Sequence, residues 1–567
     1  MSRDLITRLL PFLNWPRMNR DLLAADLAAG IAVSLLAIPQ AMAYAQLAGV
    51  PAYYGLYAAL IPSVVAVLFG SSPILSTGPV ALTSLLTAAS VGRLAAPGTA
   101  DFVSYVTLLA LLSGLFQIGL GLARAGVLVN LLSHPVLMGF INAAALIIAL
   151  SQLSAVTGIT VAPTDSFLND IWHILVQAEQ AHPRTLALAA LAIVILIGFR
   201  RLAPRLPGVL IMVAILTGLS FATAYADHGG KVVGDIPAGL PALSVPAMSW
   251  SATMELLPAA FIVALISFME AMSSCKVIAI KTRSRWDENL ELVGQGLAKV
   301  AAAFCDSMPV SGSFSRSALN LSMRAKTGFS ALFAAAFVLL TLLFLTPLFY
   351  HLPKPALAAM IIMAVVNLFD PGAMRRAWAA SRDDGIAAVL TFVATLAFAP
   401  NIQNGILAGI LFSLGAFIYR RMMPRAVAVA LRADRSLLAA EEQGLPPVNE
   451  RICALRFDAA LFFGNVSYFE DAIVKLERDN PQLAAVLVVA SGINQLDATA
   501  VDMLRRVVAR LRESGVTLAV SGARRQFLEV AEHTGLAAAI GEDNLFPTAD
   551  QAVQALFARL APPASPA

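Results

Sequence analysis

Long apolar stretches follow one another from Leu22 to Tyr419, separated by short polar turns, and the pattern then changes. A bilayer crossing takes about 20 apolar residues. Runs near 22–46, 54–70, 79–92, 102–122, 127–151, 186–203 and 208–226 make a first set of seven. Runs near 254–280, 288–305, 314–324, 329–350, 355–368, 384–399 and 402–419 make a second. The third run of each set is short and follows a break. The first break reads Ser76-Thr77-Gly78-Pro79-Val80-Ala81-Leu82-Thr83, and the second Pro309-Val310-Ser311-Gly312-Ser313-Phe314-Ser315-Arg316. Lipid tolerates non-helical backbone only where protein or a polar cavity surrounds it. Broken spans at matching places in two halves point to the substrate site of a transporter. Seven crossings is an odd number, so the second half enters the membrane from the opposite side, as an inverted repeat does.

Beyond Arg425 the pattern shortens. Residues 426–448 read as a polar, turn-prone linker. Ile452–Phe457, Leu461–Phe463, Ala485–Ala490 and Val516–Val520 read as strands, and Val466–Arg478, Thr499–Glu513 and Arg525–Thr534 as helices. Such alternation indicates a small α/β domain. The organisation expected is an N-terminal segment over 1–21, a transport domain over 22–425, the linker, an α/β domain over 449–560 and a tail over 561–567.

Composition and charge sharpen this reading. Of 567 residues, 58% are hydrophobic and 13% charged, with a mean hydropathy of +0.77. A soluble protein carries about 25% charge. With both ends inside, the inner turns hold fifteen basic residues: Arg124, Arg200, Arg201, Arg205, Lys281, Arg283, Arg285, Arg324, Lys326, Arg375, Arg376, Arg382, Arg420, Arg421 and Arg425. The outer turns hold four: Arg93, Arg184, Lys231 and Lys354. This asymmetry places both termini and the α/β domain in the cytoplasm and the chain in the plasma (inner) membrane. The N-terminal stretch with Arg3, Arg8, Arg17 and Arg20 reads as a cytosolic start. Three distant cysteines and six scattered histidines form neither a metal motif nor a catalytic cluster. An enzyme, a cofactor and a nucleic-acid partner are not expected.

The breaks carry the candidate chemistry. Two half-helices aimed at one point bring free N–H groups and positive dipole ends to it, which suits a small oxyanion. Ser76, Thr77, Ser313 and Ser315 add hydroxyls, and Gly78 and Gly312 allow close backbone approach. Arg316 either contacts the anion or fixes the break by pairing with a carbonyl or carboxylate. An intramembrane ionisable residue is functional by default. Glu270, mid-helix in the eighth run, is either a proton-coupling group or a structural counter-ion. Gln40 and Tyr44 are one helical turn apart, on one face. Lys276 is expected to reach the cytoplasmic interface, whereas Lys299 pairs with Asp306 or faces a cavity.

The segments Ile38-Pro39-Gln40-Ala41-Met42-Ala43-Tyr44, Leu47-Ala48-Gly49-Val50-Pro51 and Gly55-Leu56-Tyr57 resemble the opening of the sulfate permease (SulP) family of anion transporters. The resemblance continues through Ser76-Thr77-Gly78-Pro79, Glu291-Leu292-Val293-Gly294-Gln295-Gly296 and Gly312-Ser313-Phe314-Ser315-Arg316-Ser317. It reaches a region similar to a STAS domain around Ala490-Ser491-Gly492-Ile493-Asn494-Gln495-Leu496-Asp497. It implies a 14-segment, 7+7 inverted-repeat fold like that of uracil permease, a core moving against a gate, and a homodimer. It also implies that the Glu270 helix lines the site and that Gln40, Tyr44, Val80 and Phe314 line the pocket. Two departures stand out: Cys305-Asp306-Ser307-Met308 replaces a usually Gly-rich turn, and Lys299 sits where the family is usually uncharged. Related regulators carry a phosphorylatable serine after the STAS aspartate. Here Ala498 follows Asp497, which implies a domain for dimerisation or partner binding.

Together these readings describe a secondary active transporter of a small inorganic oxyanion, sulfate first, working by proton symport or anion exchange with alternating access. Sodium coupling is a lesser alternative. Bicarbonate or a dicarboxylate as substrate, and an anion channel, are the alternative readings.

Overall fold

The computed structural model describes residues 10–16, 18–126, 133–161, 164, 166–203, 206–366, 368–431, 437–439 and 450–560. Arg3, Arg8, Arg17 and Arg205, most of the linker and the 561–567 tail lie outside them.

Each of the fourteen apolar runs holds a helix among the described residues. The first set is α1 (Arg20–Leu47), α2 (Tyr53–Phe69), α3 (Ala81–Val91), α4 (Ala100–Leu122), α5 (His134–Ser151), α6 (Pro183–Leu202) and α7 (Gly208–Ala222). The second is α8 (Trp250–Thr282), α9 (Glu288–Phe304), α10 (Phe314–Ser322), α11 (Phe329–Leu340), α12 (Lys354–Val366), α13 (Arg382–Ala397) and α14 (Ile402–Met422). Side chains set several starts. The Asn19 Oδ1 accepts the Leu22 N–H at 2.8 Å, and Asp287 Oδ1 accepts those of Asn289 and Leu290. Such caps satisfy N–H groups that the first helical turn leaves unpaired.

Packing follows a pseudo-two-fold pattern. Helix α1 packs on α10 and α11 as α8 packs on α3 and α4, and α5 meets α13 as α12 meets α6. Two further helices, Phe167–Val176 after α5 and Pro371–Ala380 after α12, occupy equivalent places in the two repeats. They are too short to register as spans, so hydropathy alone passes over them. In lipid, helices associate through close packing rather than a hydrophobic drive. Helices α4 and α9 show this at Gly114 and Gly296, where a Cβ on either would stand 2.7 Å from the other's carbonyl oxygen.

The chain divides into two compact units, 1–413 and 414–567. The second unit holds a six-stranded sheet in the order β4-β3-β5-β6-β7-β8. Its strands are β3 (Ala426–Leu431), β4 (Leu437–Ala439), β5 (Ile452–Phe457), β6 (Ala485–Val489), β7 (Thr517–Ser521) and β8 (Leu545–Phe546). Strands β5 to β8 run parallel, and β3 is antiparallel to β5. Successive residues of β6 serve opposite faces. Val486 and Val488 pack with α15 (Val466–Asp479) and α16 (Ala498–Glu513), beside α17 (Arg525–His533). Ala485, Leu487 and Val489 pack with α18 (Ala549–Leu560). A strand buried on both faces reads as a continuous apolar run, which is why it was legible.

Two expectations need correction. The segment 426–448 is not simply a linker, because 426–431 bonds to β5 as an edge strand, in a position where small apolar residues alternate little. Leu461–Phe463 is not a strand. Only Leu461 bridges Leu496, and Asn465 Oδ1 accepts the Phe462 N–H at 2.9 Å, which turns the chain.

Asp497 has a structural task in this unit. Its Oδ1 caps α16 through the Ala500 N–H and its Oδ2 holds the Phe463 N–H, each at 2.8 Å. Thr499 is exposed within the first helical turn. Loss of such a cap costs about 1 kcal/mol. Asp497→Ala should therefore speed hydrogen exchange of the first amides of α16 about fivefold, read by mass spectrometry on the full chain. Unchanged exchange there would contradict the capping role.

Candidate functional site

The two breaks meet as a minimal antiparallel sheet. Strand β1 (Thr77–Gly78) pairs with β2 (Ser311–Gly312) in the register Thr77 to Gly312 and Gly78 to Ser311. The Ser313 N–H extends the ladder to the Ser76 carbonyl at 2.8 Å. All of these residues are buried. Helix α3 leaves one strand and α10 leaves the other, so both half-helices start beside the same ladder.

Helix α10 turns its polar face inward. Ser313, Arg316, Ser317 and Asn320, at helical spacing, are buried, while Phe314 is 59% exposed and Ser315 is exposed. Ser313 Oγ caps the helix at the Arg316 N–H. The buried face grips the first break. Ser317 Oγ accepts the Ser76 N–H at 2.9 Å, and Asn320 donates to the Ile74 carbonyl at 2.9 Å. Arg316 donates through Nη1 to the Pro79 carbonyl at 2.9 Å and through Nε to Ser76 Oγ at 3.4 Å. Its Nη2 is buried without a hydrogen-bond partner. A Cβ on Gly78 would stand 3.0 Å from that nitrogen, and one on Gly312 would stand 2.9 Å from Ala271 Cα. Glycine at these two positions is what lets guanidinium and backbone come together.

Glu270 projects from α8 to the first turn of α3, where the Thr83 hydroxyl donates to its Oε2 at 3.3 Å. It makes no ion pair within 4 Å with Arg316 among the described residues, but it feels the charges of both Arg316 and Lys299. Tyr44, buried on α1, lies in the field of Arg316 and Glu270. Gln40, one turn earlier, keeps Oε1 buried and unpartnered. It lines a cavity of about 310 Å³ with Phe199, Arg200, Val209, Met360 and Met363. Val80 is the buried residue preceding α3.

Of the residues singled out in the sequence, Tyr44, Gly78, Glu270, Gly312, Ser313 and Arg316 come together around the ladder. Thr77 does so through its backbone, while its hydroxyl turns away to accept from Gln295 Nε2 at 2.9 Å. Lys299 does not pair with Asp306, which takes the Ser244 hydroxyl instead. Asp306 lies past the end of α9, where the backbone has left the helix and turned to a positive φ. Lys299 is fully buried and donates to Gln117 Oε1 at 2.8 Å, and Gln117 donates on to the Ala264 carbonyl and Ser267 Oγ. Lys276 is exposed.

Sequence reasoning missed Gln117, Gln295, Ser317 and Asn320. Gln117 and Gln295 are isolated polar residues in apolar spans, a signal that was present. The spacing of Arg316, Ser317 and Asn320 was a second.

The sulfate permease family model matches residues 23–395, and the STAS domain model residues 446–552. The chain is 32% identical to sulfate transporter 4.1, chloroplastic, of Arabidopsis thaliana, over 97% of this chain and 83% of that protein. It is 31% identical to a probable sulfate transporter of Mycobacterium tuberculosis, over 95% and 96%. The fold is similar to that of murine Solute Carrier 26 family member A9 in the inward-facing state, with a TM-score of 0.91 at 22% identity, covering 99% of this chain and 96% of that one. The transmembrane domain of a cyanobacterium bicarbonate transporter, BicA, matches 70% of this chain and 99% of its own, with a TM-score of 0.59 at 23% identity. Two paired breaks within fourteen helices, joined to an α/β unit and matched nearly end to end, establish that this chain belongs to the sulfate permease family and carries a C-terminal STAS domain.

Proposed function

We propose that the protein is a secondary active transporter of a small oxyanion, sulfate first, which binds between the tips of α3 and α10. The observation that carries this reading is the unpaired Nη2 of Arg316, buried beside two half-helix N-termini. The other arms of the guanidinium are held by Pro79 and Ser76, so the charge is fixed in place without being neutralised. An anion oxygen at Nη2 would supply the missing acceptor and meet the positive ends of both helices. The names of the relatives, a sulfate transporter in a plant and a probable sulfate transporter in a bacterium, support the choice of ligand.

Glu270 is the coupling group in this proposal. Its carboxylate lies at the first turn of α3, where it competes with an arriving anion for the same positive field. A proton on Glu270 removes that competition, so proton and anion bind together. The ammonium of Lys299 acts on Glu270 from within the protein. A basic side chain acting on Glu270 from within the protein takes the part a sodium ion would have, which favours protons as the coupling ion. The cavity that Gln40 lines also holds Arg200, a basic residue of the arginine-rich face. We place that face, both termini and the STAS domain in the cytoplasm, with the protein as a homodimer in the plasma (inner) membrane.

Uptake into proteoliposomes tests the reading, with sulfate, bicarbonate and succinate compared under imposed proton and sodium gradients. Sulfate should accumulate under a proton gradient, and Glu270→Gln should keep anion exchange but lose accumulation. Accumulation by Glu270→Gln with protons as the only energy source would remove the coupling role. Conductance far above carrier rates, insensitive to Glu270, would favour a channel. Lys299→Met should slow exchange at least tenfold, because it leaves Glu270 uncompensated. The double variant Lys299→Met/Glu270→Gln should return to within threefold of Glu270→Gln alone. Equal, additive losses would show that the two charges are not coupled.

A further inference from the structure

The turns opposite the arginine-rich face hold few cations, and two of the four stand side by side. The segment after α7 is zipped to the turn before α12. Val232 and Pro353 form an antiparallel bridge, Val233 N–H meets the Leu352 carbonyl at 2.9 Å, and Lys354 N–H meets the Lys231 carbonyl at 2.9 Å. This register sets Lys231 directly opposite Lys354. Like charges facing each other across a ladder are destabilising. Lys354 is also the first residue of α12, at the positive end of its dipole, the unfavourable end for a cation. Lys354 feels the charge of Lys231, and neither ammonium makes a hydrogen bond or ion pair among the described residues.

Both lysines line a cavity of about 720 Å³. His182, Gln152 and Thr185 add polar groups to its wall, and Asp235 is the one carboxylate among its lining residues. The His182 Nδ1 accepts the Thr185 N–H at 3.3 Å and contacts the Thr185 hydroxyl, which in turn reaches the Tyr225 hydroxyl at 2.7 Å. That pattern leaves the ring proton on Nε2, as a further donor. The same cavity touches Gln46 and Gly49, at the end of the helix that carries Tyr44. Two unfavourable placements of positive charge, held together by backbone bonds over a polar cavity, are both relieved by one bound anion.

We infer that this cavity is an outer anion site that captures a small oxyanion, such as sulfate, ahead of the proposed site between the tips of α3 and α10. Its role in entry rests on the transport reading above, but binding there does not. Capture by two cations raises the local anion concentration and is screened by salt.

Two experiments separate the claims. Purified full chain in detergent is treated with an amine-acylating reagent in sulfate or in gluconate at equal ionic strength, and modification is read by peptide mass spectrometry. Sulfate should slow acylation of Lys231 and Lys354 at least threefold and leave exposed Lys276 unchanged. Equal rates in the two anions overturn the site, whatever the transport result. In right-side-out proteoliposomes, Lys231→Gln/Lys354→Gln should raise KM for sulfate about fivefold with kcat unchanged, and the doubly Arg-substituted variant should keep the wild-type KM. Higher salt should narrow the difference. An unchanged KM overturns the entry role. A wild type that moves no oxyanion defeats the transport reading instead and leaves the protection experiment to decide the site.

Discussion

The antiparallel contact between Thr77–Gly78 and Ser311–Gly312 is the constraint on which the rest depends. Within a bilayer, an unpaired backbone group costs several kcal/mol. Each break interrupts the bonding of its own helix, so each needs a partner from outside it. The two repeats supply one another with that partner. The result ties the first half of the chain to the second at one central point and brings two helix starts to it. Side chains of α10 then complete the junction by bonding to the Ile74 and Pro79 carbonyls and the Ser76 N–H.

That junction determines the charge arrangement. Arg316, Lys299 and Glu270 all stand within the helical bundle, and each makes fewer bonds than its atoms allow. A fully satisfied ion pair would be inert, whereas a partly satisfied set can respond to a proton or an anion. Glu291 provides the contrast. It is buried too, but it accepts the Ser71 and Ser72 N–H groups and the Gln295 amide, and so fastens the turn after α2 to the start of α9. The first group is suited to exchange with ligands, and the second to holding the core together.

Much of this was legible in the sequence because a bilayer imposes strict rules. Fourteen apolar runs became fourteen helices, and the two broken runs met where their shared position implied. The Gly-Ser-Phe-Ser-Arg break pointed to Arg316 directly. What stayed hidden depended on side-chain direction. The Thr77 hydroxyl follows strand alternation away from the site towards Gln295. Lys299 found Gln117 on a neighbouring helix, a partner 182 residues distant in the chain. The strand at 426–431 was missed because its Ala and Val residues carry little alternation, and its pairing with β5 is a tertiary fact.

The most direct test of anion binding between the tips of α3 and α10 is a structure determined with selenate, an electron-rich analogue of sulfate, located by the anomalous signal of selenium. The account predicts a peak with an oxygen about 3 Å from Arg316 Nη2, between the first residues of α3 and α10. Selenate that competes with sulfate for transport yet leaves that position empty, with its peak elsewhere in the membrane unit, would contradict it.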